Sequence, residues 1–325
     1  MDTMEIKTTE DLENFAEEFI ENGRRGIIRL AAPVLNINEW LVSKPSYYAL
    51  LLGITDSEFE EIAYYAAPVV AKSDREGFTE GQVLDDEGFR MYESLDPEDK
   101  ESVEILEGAD AIEFLLKRLD LAGKYNEARG HEIATMKALS IMWDKYDELN
   151  GDDLIHGLNQ KLLNAEVDEE GNIAAELTDN EKALFELKND ISAAQSVLEE
   201  ARCVLTAIRR IRDRGLGSLI VKEIALFPVD LRGVMKDVYR EMPHAVSDIE
   251  RQYGRVVSRN ARLAMLKEVG APEIIIRNES RMLQEYVDCL VNNGARGEAF
   301  MAGRDDERCP AVSLTDILLR SKPLI

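Results

Sequence analysis

Apolar residues recur every three or four positions in two neighbouring runs between residues 247 and 297. This spacing places them along one face of a helix, as in a helix that packs lengthwise on a partner. Gly270 and Pro272 lie between the runs and interrupt helical structure. We therefore predict an antiparallel helical hairpin with its tip near residues 268–276. The apolar positions are Ile249, Tyr253, Val256, Leu263 and Leu266 in the first run and Ile276, Leu283, Val287 and Leu290 in the second.

The rest of the chain is predicted to be mostly helical, with little strand. The stretch 73–100 is rich in Gly, Asp and Glu, which predicts loop or peripheral turn. Weakly alternating apolar residues predict a short strand at 26–30. A second short strand near 219–226 is implied by a family resemblance that residues 220–232 carry. The fold class is therefore mainly α with a small β element. Helical periodicity predicts further helices over residues 1–22, 56–65 (capped by Thr55 or Asp56), 108–129, 131–149 and 180–211, the last two pairing as a coiled-coil arm.

The polar faces of the predicted hairpin are rich in arginine and carry a single lysine, Lys267. A guanidinium group makes planar, bidentate contacts with carboxylates, so this composition favours docking of an acidic partner. Asn260 stands where the seam would take an apolar residue, and a buried seam asparagine fixes the register of paired helices. The same charges also fit an exposed face paired with its own acidic neighbours. The arginines are Arg251, Arg255, Arg259, Arg262, Arg277, Arg281 and Arg296.

Two contiguous stretches carry a family resemblance. YGRVVSRNARLAMLKEVGAPE and APEIIIRNESRMLQEYVDCLVNNGARG resemble the clamp-helix hairpin of the bacterial RNA polymerase β′ subunit. In that family the hairpin docks region 2 of sigma factors, and other regulators compete for the same place. The resemblance therefore implies that this hairpin binds a sigma factor within a transcription complex.

The resemblance also implies which side chains make the contact. The family's sigma-contacting arginines match Arg259, Arg277 and Arg281, and its contacting glutamate matches Glu279. Glu250 stands where the family usually has asparagine, and Tyr286 where it usually has alanine. The candidate sigma-binding residues are Arg259, Asn260, Arg262, Arg277, Glu279, Arg281, Gln284 and Tyr286.

Shorter blocks resemble the same subunit in the same order along the chain, among them AAPVVAKSD and IVKEIALFPVDLR. They imply a helical clamp body from which the hairpin projects. The predicted division is an N-terminal acidic helix (1–25), a clamp base (26–130), an inserted helical arm (131–218), a strand and loop (219–246), the hairpin (247–297) and a C-terminal tail (298–325).

The charge balance limits the partners of the chain. Acidic residues number 64 against 39 basic ones, and the formal net charge is −25. Nucleic-acid binding needs clustered positive charge, so we expect DNA contact only indirectly, within an assembled polymerase. A cationic hairpin on an acidic body instead suits an acidic helix of a partner protein. No apolar run reaches the ~18 residues of a membrane helix, and the acidic N-terminus lacks a signal pattern, so we expect a cytoplasmic protein without membrane contact.

Residues that could carry catalysis or bind metal are scattered. Cys203, Cys289 and Cys309 are too far apart for a zinc ribbon or a redox pair, and His131 lacks the second histidine of a zincin helix. The three magnesium-binding aspartates and the zinc ribbon of the β′ family have no match in this sequence. We therefore expect no metal, no cofactor and no catalytic residue, and hence no enzyme activity from the chain by itself.

The resemblance leaves three functions open. The chain could be the clamp part of a divergent or split polymerase that docks sigma and joins the other polymerase subunits. It could instead be a free-standing decoy that sequesters sigma. In a third alternative it is a structural helical scaffold without sigma binding.

Overall fold

The computed structural model describes residues 3–12, 25–149, 178–226, 245–303 and 309–320. Contacts divide the chain into two compact units, one comprising Met1–Leu119 with Arg210–Ile325 and the other Asp120–Arg209. The strands are β1 (Thr3–Glu5), β2 (Arg25–Leu35), β3 (Val69–Ser73), β4 (Val103–Leu106) and β5 (Ile220–Ala225). The helices are α1 (Ile37–Trp40), α2 (Tyr47–Leu52), α3 (Asp56–Ala63), α4 (Asp86–Glu93), α5 (Pro97–Lys100), α6 (Gly108–Arg118), α7 (Leu121–Glu148), α8 (Asp179–Arg214), α9 (Ala245–Glu268), α10 (Glu273–Asn292) and α11 (Leu314–Arg320).

The prediction of a mainly helical fold with a small β element is confirmed. The first unit contains a sheet in the order β1–β2–β5, in which β1 is parallel and β5 antiparallel to β2. The register of β2 and β5 shifts between Arg29 and Val34. The predicted strands near 26–30 and 219–226 therefore pair with each other, and β2 continues beyond its predicted end to Leu35.

The hairpin packs on this sheet. The helices α9 and α10 run antiparallel and contact each other along their length, and both contact β2. Nearly all the predicted seam residues are buried in one core with Ile28, Val34 and Ile224 of the sheet. Gly270 ends α9 with a φ of +63°, a conformation that glycine adopts without strain. The hairpin and its predicted tip are confirmed, and four apolar side chains are exposed there: Met265, Val269, Ile274 and Ile275.

A second, two-stranded sheet pairs β3 with β4 in the same unit. The predicted helix 56–65 is confirmed as α3. It begins after Thr55, which forms a reciprocal capping box with Glu58. Gly108, with a φ of +58°, begins α6 beneath Tyr65, whose ring leaves no room for a Cβ atom. This close approach fixes the turn from β4 into α6.

The second unit consists largely of α7 and the greater part of α8. Leu139 of α7 packs with Ile191 and Leu198 of α8 in one apolar cluster, so the two helices contact each other as predicted. That they form a coiled-coil arm stays a prediction. Leu154, Leu158, Leu162 and Leu163 recur at helical spacing and predict a further helix, and Gly171 predicts a turn. Both predictions lie outside the described residues.

Three predictions of local structure are wrong in part. Residues 3–5 were predicted as helix but form β1, because pairing with β2 satisfies their backbone groups; residues 9–12 are helical, and 13–22 lie outside the described residues. The predicted loop 73–100 contains α4 and α5, whose N-cap residues are Asp85 and Asp96. The predicted helix 108–129 breaks at Leu119, where Asp120 caps α7.

Candidate functional site

Two predicted contact residues lie on the inner face of the hairpin, where they bind the backbone of β2. The side chain of Asn260 accepts a hydrogen bond from Ala31 N at 2.7 Å and donates one to Arg29 O at 2.8 Å. Gln284 accepts from Leu35 N at 2.7 Å and donates to Leu35 O at 2.8 Å. These side-chain amides therefore complete the hydrogen bonding of a strand at its bulge. The prediction that Asn260 fixes the register of the two helices is wrong, because the side chain of Asn260 binds the strand β2 and not the other helix.

Arg277 also turns towards the body. Its guanidinium forms an ion pair with Glu107, lies 4.0 Å from a carboxylate oxygen of Glu93 and stacks 4.6 Å from the ring centre of Phe89. Only 12% of the side chain is exposed. Burial raises the pKa of Glu107, and Arg277 acts against that rise. Arg277 therefore fastens α10 to the segment that precedes α6.

The outward side of α9 carries a groove lined by arginine. Arg251, Arg255, Arg259 and Arg262 recur at helical spacing and surround a cavity of about 500 Å³. We call this surface the arginine groove. Its remaining lining residues are Thr9, Gly254, Ser258 and Tyr286.

The positive charge of the arginine groove is only partly balanced. Glu279 is buried between two arginines, with its oxygens 3.0 Å from Arg259 and 3.2 Å from Arg262. Arg251 lies 3.7 Å from Asp248. Among the residues that the structure describes, Arg255 forms no ion pair, and its guanidinium lies 5.9 Å from the ring centre of Tyr286. In the described part of the chain, three of the four guanidinium groups thus share two carboxylates and the fourth has none, which leaves the groove able to attract an anionic partner.

Tyr286 and Arg281 lie in different surroundings on α10. The Tyr286 ring contacts Arg259 at 5.4 Å in addition to Arg255. Burial acts to lower the pKa of Arg259, but the hydrogen bond to Glu279 and the neighbouring Tyr286 outweigh it, so that this pKa is raised. Arg281 pairs instead with Glu285, one turn along its own helix, and does not line the groove. Four of the eight predicted residues therefore meet at the groove: Arg259, Arg262, Glu279 and Tyr286.

The base of the hairpin holds a buried carboxyl group. Asp288 is 5% exposed and accepts hydrogen bonds of 2.8 Å from Tyr64 Oη and from Gln284 Nε2. Burial raises its pKa to about 7, against the two hydrogen bonds. Tyr64 and Gln284 thereby link this carboxyl group to β2 and to the body.

The predicted site omitted Arg251 and Arg255, which line the groove, and Phe300, which lies beside Tyr286. The spacing Arg251–Arg255–Arg259–Arg262 marks a single helix face and could have identified the first two. No sequence pattern identifies Phe300, because it lies after the hairpin in the chain and contacts Tyr286 only in the folded structure.

Neither metal-binding clusters nor membrane spans are found where the structure describes the chain. In the described ranges, no three His, Cys, Asp or Glu side chains come together in a group that could hold a metal ion. Over the same ranges, every helix is too short or too polar to cross a bilayer.

Comparison with known proteins identifies the family. The family model described as RNA polymerase Rpb1, domain 1 matches residues 10–317. The chain belongs to this family. A DNA-directed RNA polymerase subunit gamma from Thermosynechococcus vestitus is 32% identical over 93% of this Rpb1-type chain and 39% of its own length. A subunit beta' from Guillardia theta gives the same figures, and one from Corynebacterium jeikeium is 28% identical over 92% of this chain and 24% of its own length.

The resemblance to the RNA polymerase β′ subunit is thus confirmed. This Rpb1-type chain spans about two fifths or less of the length of these relatives.

Proposed function

We propose that this chain is the part of a β′-type polymerase subunit that docks a sigma factor, and that the arginine groove is its docking surface. The observation that carries the proposal is the groove's unbalanced charge on the outward side of α9. Charge complementarity across an interface speeds association and selects partners. An acidic helix in region 2 of a sigma factor would supply the carboxylates that the groove lacks.

The proposal divides the eight predicted contact residues by role. Arg259, Arg262 and Tyr286 would contact the partner together with Arg251 and Arg255. Glu279 would act as a positioning residue, because it is buried and orients two guanidinium groups. Asn260, Gln284 and Arg277 would hold the hairpin on the body, and Arg281 lies outside the groove.

Family membership supports a wider proposal. The relatives are named as subunits of DNA-directed RNA polymerase, so we infer that this chain assembles with further polymerase subunits in the cytoplasm. Any contact with DNA, and any role in nucleotidyl transfer, would then belong to the assembled polymerase.

Co-purification tests the proposal. The full chain would be tagged and isolated from its own cells, and its partners identified by mass spectrometry. We expect both a sigma factor and further polymerase subunits. Sigma alone would indicate the decoy function, and neither partner would leave only the structural scaffold.

A further inference from the structure

One end of the arginine groove, at Tyr286, adjoins an aromatic pair. The rings of Tyr286 and Phe300 meet edge to face, with centroids 6.1 Å apart and an interplanar angle of 86°. Tyr286 is half-buried against the main core, whereas Phe300 is 56% exposed. The partly balanced cations of the groove therefore lie next to an accessible apolar ring, which lines a neighbouring pocket with Glu285 and Glu298.

The backbone next to Phe300 is held by side chains of Asn293 and Arg251. The buried side chain of Asn293 accepts a hydrogen bond from Met301 N at 3.0 Å and donates to Met301 O at 2.7 Å. Arg251, from the groove itself, donates to the backbone oxygen of Ala302. The backbone that follows Phe300 is thus fastened to both helices of the hairpin. A ring whose backbone is already fixed loses less conformational freedom when a partner covers it.

Tyr286 connects this aromatic end to the cations. Its ring lies within 6 Å of the guanidinium carbons of Arg255 and Arg259, a distance at which cation–π attraction orders both groups. Tyrosine and arginine are enriched among the residues that dominate binding energy at interfaces. Arg255 and Arg262 are seven residues apart, or roughly 10 Å along the helix axis. A partner helix could therefore meet the cations and the aromatic end at the same time.

We propose that Tyr286 and Phe300 form an apolar anchor subsite beside the arginine groove, and that its occupant is an apolar side chain on the partner's acidic helix. This inference rests on the proposed function and adds a second requirement for the partner. Carboxylates alone would bind the groove by electrostatic attraction, which salt screens. The anchor subsite adds the burial of apolar surface, which salt does not screen. Phe300 is then a specificity-determining residue for the docking partner.

The test measures the affinity of the full chain for a purified sigma region 2 domain at low and at high salt. We expect Phe300→Ala to weaken binding by roughly 5- to 20-fold, equally at both salt concentrations. Phe300→Leu keeps an apolar side chain and should stay within about threefold of the unsubstituted chain. Phe185→Ala is the matched control, because Phe185 is 47% exposed and lies in the second unit; it should leave the affinity unchanged.

The outcomes separate this inference from the proposed function. Binding by the unsubstituted chain together with an unchanged affinity of Phe300→Ala overturns the anchor subsite and leaves the docking function standing. A loss in Phe300→Ala that disappears at high salt also overturns it, because such a loss would be electrostatic. If the unsubstituted chain does not bind the domain at all, the proposed function and the inference fall together.

Discussion

The inner face of the hairpin and its arginine groove carry similar polar residues, but they differ in what those residues meet. On the inner face, Asn260 and Gln284 are fully engaged by the backbone of β2. In the groove, Arg255 meets only an aromatic ring among the described residues, and Arg262 remains 58% exposed beside its carboxylate. Polar residues on one helical hairpin thus differ in their surroundings: the inner set is bound to the fold, and we propose that the outer set contacts a partner.

The comparison predicts that changes on the inner face alter stability and that changes in the groove alter binding. Gln284→Ala should lower the free energy of unfolding by about 3–4 kcal/mol, because it leaves Leu35 N and O and one oxygen of Asp288 without their partner in a buried place. Urea unfolding followed by circular dichroism measures this change. Ser258→Ala, on an exposed groove residue, is the control and should stay within about 0.5 kcal/mol. If Gln284→Ala lowered the free energy of unfolding by less than about 1 kcal/mol, the inner face would not be what holds the hairpin on β2.

The stability that the inner face of the hairpin contributes should also depend on pH. Native Asp288 keeps its proton up to about pH 7, whereas the unfolded carboxyl group loses it near its ordinary value of 3.8. The native state therefore binds more protons between these values, and the free energy of unfolding falls as pH rises from about 4 to about 7. Each pH unit of separation corresponds to at most about 1.4 kcal/mol, so the pH dependence from this group should total no more than about 4 kcal/mol.

The variant Asp288→Asn tests this source of pH dependence. Its amide reproduces the protonated carboxyl group, since the oxygen can accept from Gln284 and the nitrogen can donate to Tyr64. Its unfolding free energy should change less between pH 4 and pH 7 than that of the unsubstituted chain. An equal slope in both proteins would show that Asp288 is not the titrating group.

A smaller effect is expected where Arg277 meets the body. Arg277→Ala leaves the half-buried carboxylate of Glu107 unpaired and should destabilise the chain by about 2 kcal/mol. Adding Glu107→Gln removes that charge, so the double variant should recover part of the loss. Thermal unfolding of both single variants and the double variant completes the cycle. Additive losses would indicate that the two side chains do not interact.

Much of the fold could be predicted from the sequence, because it depends on local patterns. The seam from Ile249 to Leu290 follows helical periodicity, and the cap at Thr55 follows from two residues three positions apart. The strand β1 could not be predicted in the same way, since the strand it pairs with, β2, lies more than twenty residues further along the chain. Pairing with that strand overrides an amphipathic pattern that favours helix.

The candidate site was less predictable for the same physical reason. Asn260 and Gln284 bind a strand that is 229 to 249 residues away in the sequence, so no local pattern distinguishes them from the arginines of the groove. Family matching gave Arg277 the same role as Arg259. Only the positions of Glu107 and Phe89 show that Arg277 holds the hairpin on the rest of the unit, whereas Arg259 lines the groove.

The central claim is that the arginine groove, and not the rest of the hairpin surface, docks a sigma factor. The most direct test compares the affinity of the full chain for a sigma region 2 domain with that of Arg255→Ala/Arg262→Ala and of Arg281→Ala. The groove variant should bind at least about tenfold more weakly, with a shallower salt dependence, because each contact contributes roughly 1 kcal/mol. Arg281→Ala removes the same kind of charge outside the groove and should bind within about twofold of the unsubstituted chain. Equal losses in both variants, or a loss in Arg281→Ala alone, would contradict the account.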